Sequence, residues 1–371
     1  MSDPNSDPRR FATLPEPPAY APLYRLAEAS LGAATQQEAD ACDARITEAL
    51  APLLAPGAGD RLAGLFAAAP SADVYRHLWR LLAAGERAAS ESLLRLFAIP
   101  LVIVAGIESP SAPAVTLDGV LADARALAAL LVEHRALAGN RTLALANTLV
   151  GADRLDFAHL PGLLAWRTLP AAGEAHALPP APIAVVPGGE AVHLRFLVGT
   201  ALAGPDADLF RDDTVGRWGM PLAQALSRAL AAPGVSVLAL PRPAQSLVTA
   251  PWQGRIAQRE VGAQLFASNA IRKLRASVGE PRAVISVHRV DGGGEVRLSL
   301  SSPFDPRQAE GFRAPLLPLD RVEDVVQMLR ALLADCRVAD VRREPGVHPD
   351  RDAATGMTLL FKADDAPPAT H

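Results

Sequence analysis

A chain of 371 residues, half of them hydrophobic and only 5% aromatic, can bury a sizeable core built mainly from Ala, Leu and Val, which excludes disorder of the whole chain. Its 36 basic and 40 acidic residues leave a net charge of −4, too small to imply a nucleic-acid or membrane partner for the molecule as a whole. Two cysteines, Cys42 and Cys336, stand far apart without metal-ligand spacing, which excludes a disulfide scaffold and a cysteine-based zinc site.

Residues 1–21 carry five prolines and no apolar stretch of the signal-peptide kind, so a solvated, disordered tail is expected there. A second short tail is expected at 363–371. The longest apolar run, Leu96 to Ile107, contains Pro100 and falls short of the ~20 residues a bilayer requires, so no membrane insertion is expected. Among the basic residues only Lys273 and Lys362 are lysines, a usage that fits a GC-rich bacterial genome. A soluble, cytoplasmic bacterial protein is the expectation.

Thr35 and Glu38 form a capping-box pattern ahead of Ala39, Cys42, Ile46, Ala49 and Leu53 at helical spacing. A second helical run covers Ala72 to Phe97, with Gly85 as a weak point. Leu101 to Ala105 reads as a buried strand, Asp118 as the cap of a helix to Ala138, and Arg141 to Val150 as a strand. The Ala/Pro-rich stretch 169–182 reads as a linker between a helix-rich half, 22–168, and a second α/β half, 183–362.

In the second half, Ile183–Val186 and Ala191–Val198 flank Pro187-Gly188-Gly189 as a hairpin. A helix from Pro221 to Ala232, the strand Val235–Leu240 and a long helix from Gln253 to Val278 follow. Ala283–Val290 and Glu295–Ser301 form a second hairpin, Asp320 and Glu323 open a helix through Leu333, and Val338–Arg342 and Met357–Phe361 read as final strands. The class is α/β, with mixed sheets covered by helices. The order strand, helix, strand occurs twice, which raises an internal duplication as one reading.

No catalytic signature is complete. There is no phosphate-binding GxxxxGK[ST] loop, Gly57-Ala58-Gly59 lacks the rest of a dinucleotide fingerprint, and Ser236, in Gly234-Val235-Ser236-Val237-Leu238, lacks the second glycine of a nucleophile elbow. Ser286 and His288 share a strand face, but positions i and i+2 stand nearly 7 Å apart along a strand, so an ordinary hairpin is expected rather than a nucleophile–base pair. The loop Asp206, Asp208, Asp212, Asp213 does not match a calcium-loop spacing, and His348-Pro349-Asp350-Arg351-Asp352 reads as a polar loop. No catalytic residue, metal or cofactor is therefore assigned.

Charge is unevenly placed. Residues 242–290 hold eight basic and two acidic groups, +6 locally against −10 for the rest. On a helical wheel Arg255, Arg259, Phe266 and Lys273 gather opposite Ala257, Val261 and Leu265, which marks them as a candidate partner- or anion-binding face. Two functions follow: a non-catalytic scaffold, adaptor or regulatory protein acting through a protein partner, or an enzyme or binding module that takes a phosphorylated or nucleic-acid ligand on this face.

Overall fold

The computed structural model describes residues 19–88, 94–137, 142–164, 178–202, 215–291, 293–304, 309–351, 353 and 358–359. The expected tails lie almost wholly outside the described residues, as do most of the 169–182 stretch and the entire Asp206–Asp213 loop. Among the described residues, no helix is long and apolar enough to cross a membrane.

The protein is α/β with mixed sheets and a helical N-terminal region. The first four helices are α1 (Ala21–Leu31), α2 (Gln36–Leu50), α3 (Gly59–Ala67) and α4 (Ala72–Ala88). Thr35 caps α2: its Oγ1 accepts from Glu38 N at 3.3 Å, and the Glu38 carboxylate accepts from Ala34 N at 3.1 Å. This reciprocal pair satisfies N–H groups that a helix start leaves open. Ile46, Leu50, Leu62, Leu65 and Phe66 are buried.

The helix expected to reach Phe97 stops at Ala88, and Leu94–Phe97 instead begin a 14-residue strand, β1 (Leu94–Ile107). Pro100 sits inside it without breaking a ladder. Its missing N–H faces the 242–245 segment, whose Arg242 N donates to Pro100 O, and regular pairing on that side starts only at Leu101.

β2 (Val115–Leu117), α5 (Ala124–Glu133), β3 (Leu143–Val150), the short α6 (Leu160–Leu164), β4 (Ile183–Val185), β5 (Gly189–Leu202), α7 (Val215–Ala229) and β6 (Val235–Pro241) follow. They build an antiparallel sheet of order β3-β5-β1-β6. Its core joins Phe97, Ile99, Leu101 and Ile103 to Trp218, Leu222 and Leu226 of α7 and Leu127 and Leu131 of α5. On the β6 edge, Ala239 N donates to Ser227 Oγ and Pro241 has no N–H, so the outer edge offers few free donors.

Two local expectations are corrected here. Asp123, not Asp118, caps α5 by accepting from Ala126 N at 2.8 Å, while Asp118 turns back on Val120 N. The Pro187-Gly188-Gly189 hairpin does not form: β4 pairs with β2, and β5 pairs with β1 along its full length and with β3 further on. With that length of β5 already paired, β4 completes a separate two-stranded ribbon.

The long helix α8 (Ala250–Val278) precedes β7 (Arg282–Val290), β8 (Gly293–Ser301), β9 (Ala309–Pro315), α9 (Val322–Asp335), β10 (Asp340–Arg343) and β11 (His348–Pro349). These strands form a mixed sheet of order β10-β7-β8-β9, with β11 also parallel to β7. The expected β7–β8 hairpin is present, with Val290 opposite Gly293. Its core joins Ala283, Ile285, Val287, Val296, Leu298 and Leu300 to α8 and α9 residues such as Ala267, Ile271, Val326 and Leu329.

Two compact units emerge. One holds Tyr20–Ala67 and His77–Gln258; the other holds Ala68–Arg76 and the chain from Arg259. The break between Gln258 and Arg259 falls within α8. The suspected duplication finds no counterpart: β1 and β3 share one sheet, whereas β6 and β7 belong to different sheets.

Candidate functional site

The strand β7 alternates strictly. Ala283, Ile285 and Val287 enter the core, so Val284, Ser286 and His288 take the opposite face. β8 answers in register, with Arg297 opposite Ser286, Glu295 opposite His288 and Ser299 opposite Val284. Such a polar face ordinarily meets water. Here it is covered: Ser286 is 1% exposed, His288 and Arg297 0%, and Ser299 3%.

The side chains form one network. Ser286 Oγ lies 2.8 Å from His288 Nε2, and His288 Nδ1 lies 2.9 Å from Pro349 O. A carbonyl only accepts, so the proton sits on Nδ1 and the serine hydroxyl donates to Nε2. Arg297 donates from Nε to Glu295 at 2.6 Å, from Nη1 to Leu359 O at 2.7 Å and Asp350 O at 3.1 Å, and from Nη2 to the Asp350 carboxylate. Its Nη1 also stands 3.3 Å from His288 Nδ1, a proximity of two donors in this tautomer. Arg313 of β9 adds a looser contact to Glu295 at 3.8 Å.

The electrostatics follow from closure. Burial pushes His288 down to about 4, helped by Arg297 and His348 and opposed by the Pro349 carbonyl and Asp350, so its imidazole is neutral at pH 7. The Arg297 guanidinium hydrogen-bonded to Asp350 holds that carboxyl below its ordinary value.

The expectation that strand spacing keeps Ser286 and His288 apart is corrected. The 7 Å figure holds for the backbone; the imidazole leans along the strand and closes the gap. A serine hydroxyl on the Nε2 of an imidazole fixed through Nδ1 is the arrangement nucleophilic catalysis uses. Both side chains are shut from solvent, however, and what the network does as it stands is fasten Pro349, Asp350 and Leu359 onto the sheet.

The four residues of the basic face have separate fates. Arg255 is exposed. Arg259 is not: its guanidinium pairs with Asp320 and donates to Pro315 O at 3.2 Å, with side chains 10% and 4% exposed. Phe266 stacks on Phe312 of β9, ring centroids 5.6 Å apart, so the chain itself covers this aromatic. Lys273 pairs in the open with Glu310. The wheel missed this because α8 changes its packing face along its length. Gly254 lies against Leu194 and Phe196, whereas Ala263, Ala267, Ala270 and Leu274 belong to the core of the second sheet.

Among the described residues, no group of three or more His, Cys, Asp and Glu side chains is placed to hold a metal ion. Comparison with protein-family models, with curated proteins and with solved structures gives no match.

Proposed function

We propose that the chain is a non-catalytic protein-interaction protein, a scaffold, adaptor or regulatory subunit, working in a bacterial cytoplasm. The observation that supports this most is Phe304, whose side chain is 85% exposed just after β8. Burying a phenylalanine is worth about 1.5–3 kcal/mol, and aromatic anchors supply much of the energy of protein interfaces. Met220 on α7, 67% exposed, is a second such residue. The two free cysteines, Cys42 and Cys336, accord with a reducing compartment. The alternative, a phosphorylated or nucleic-acid ligand on the basic face, has less to rest on, because Arg259 and Lys273 are engaged by carboxylates of this chain.

Affinity capture from the native host, repeated at about 0.1 M and about 0.5 M salt, separates the two. An apolar interface keeps its partner at both concentrations and loses it in the Phe304→Ser variant, while thermal stability stays within about 0.5 kcal/mol of the parent. Binding that collapses with salt and ignores Phe304→Ser supports the phosphate or nucleic-acid reading instead.

A further inference from the structure

The larger sheets end in β3 and β6 in one case and in β10 and β9 in the other. An edge strand is a template for pairing unless something blunts it. β3 is covered by residues 119–121: Leu149 N donates to Gly119 O at 2.8 Å, and Leu121 N to Asn147 O at 2.7 Å. On β6, Val235 N donates to Ala232 O, Ala239 N to Ser227 Oγ, and Pro241 has no N–H. β10 is only 4 residues long. β9 is the edge that remains, with 7 residues.

The ladder decides which groups of β9 face outward. Leu316 N donates to Gly294 O at 2.9 Å, so these two form a hydrogen-bonded pair. Counting in twos along the register, so do Ala314 with Val296, Phe312 with Leu298 and Glu310 with Leu300. Ala309, Gly311, Arg313 and Pro315 therefore turn their main-chain groups away from β8. Pro315 fits this independently: it has no N–H to offer, and its carbonyl accepts from Arg259 Nη1 at 3.2 Å. The main-chain groups of Gly311 and Arg313 have no hydrogen-bond partner among the described residues. Gly311 is exposed, and a glycine has only backbone to expose.

The side chains along this edge differ by face. Arg313, on the polar face, is 50% exposed, and its contact with Glu295 is loose at 3.8 Å because Arg297 already holds that carboxylate at 2.6 Å. Phe312, on the other face, is half-buried on Phe266. Phe304 leaves β8 at the end where Ser301 pairs with Ala309.

Resting on the reading of the chain as an interaction protein, we infer that β9 is where a partner adds a strand. An extended segment of another protein pairs with Gly311 and Arg313, with an acidic residue opposite Arg313 and, next to it, an apolar residue opposite Phe312. Each of Gly311 and Arg313 offers a donor and an acceptor, and such main-chain bonds supply affinity while the alternating side chains supply selectivity. Charge selects the occupant. Residues paired across strands share a face, so the acid that Arg313 lacks must come from the incoming strand. A second copy of β9 cannot bring it, because that face of β9 carries Ala309, Gly311, Arg313 and Pro315.

A phage-displayed library of random short peptides, selected on the full folded chain, supplies the probe. Selected peptides should carry Asp or Glu beside an apolar residue. Gly311→Pro deletes an outward N–H that β8 does not use, and should lower their affinity about tenfold or more. Selection on Arg313→Glu should replace the acidic residue with Lys or Arg. Amide hydrogen exchange of the native chain needs no variant: a selected peptide should protect the amides of Gly311 and Arg313, while those of Phe312 and Ala314 are slow with or without it. If Gly311→Pro does not fold, this exchange and the Arg313→Glu selection decide. A library without binders, or binders that ignore both substitutions, overturns the inference. So does protection of Gly311 and Arg313 that rises with the chain's own concentration alone, which would make a second copy the occupant. None of these outcomes alters whether Phe304→Ser loses a partner captured at both salt concentrations, so the two readings fail separately.

Discussion

Replacing Arg297 with methionine is expected to lower the unfolding free energy by about 3–5 kcal/mol, the range for removing one partner of a buried ion pair. The cost arises at Glu295, whose side chain is 8% exposed and would keep its charge with only the Arg313 contact at 3.8 Å. Asp350 contributes less, because its side chain is 34% exposed and water can replace the guanidinium. Adding Glu295→Gln to Arg297→Met should restore part of the loss, since the stranded charge is then gone. Urea denaturation followed by circular dichroism measures both. A loss under about 1 kcal/mol for Arg297→Met would show that the network does not hold the sheet and its cover together.

Reversing charge on α8 should separate two arginines that the helical wheel treats alike. Arg255→Glu changes an exposed side chain and should stay within about 0.5 kcal/mol of the parent. Arg259→Glu places a carboxylate against the buried Asp320 and removes the donor to Pro315 O, so a loss of about 3–5 kcal/mol is expected. Asp320 also accepts from Leu317 N at 2.8 Å, so the turn leading into α9 is disturbed with it. Thermal unfolding of the two single variants suffices; equal stabilities would return Arg259 to the surface and revive it as a binding residue.

The sequence makes this fold legible wherever a pattern is local. The Thr35–Glu38 cap, the β7–β8 turn and the apolar stripe Val322, Val325, Val326, Leu329 and Leu333 all depend on residues near one another in the chain. What fails depends on partners distant in sequence. Ile183 and Val185 are strand-like in either pairing, and only the occupied length of β5 sends them to β2. A wheel drawn for one helix assumes one packing face, and α8 has more than one, which is why the wheel places Arg259 on an outward face.

The candidate site shows the same division. Alternation along Ser286, His288, Glu295, Arg297 and Ser299 declares a polar sheet face, and the hairpin register could have been read from the turn. Nothing local announces that this face is covered, because its acceptors Pro349 O, Asp350 and Leu359 O lie more than 50 residues away from Arg297 or His288 in the chain. Spacing along a backbone also says little about reach: a hydroxyl and an imidazole two positions apart meet at 2.8 Å.

The central claim is that this closed Ser286–His288–Arg297 face holds structure while the chain acts through partners. Its most direct test is to treat the folded protein at about pH 7, where a histidine of this kind is neutral, with a serine-directed fluorophosphonate and locate any adduct by peptide mass mapping. The account predicts no adduct on Ser286, whose side chain is 1% exposed. A stoichiometric adduct at Ser286 that disappears in His288→Gln would contradict it and identify the pair as a working nucleophile and base.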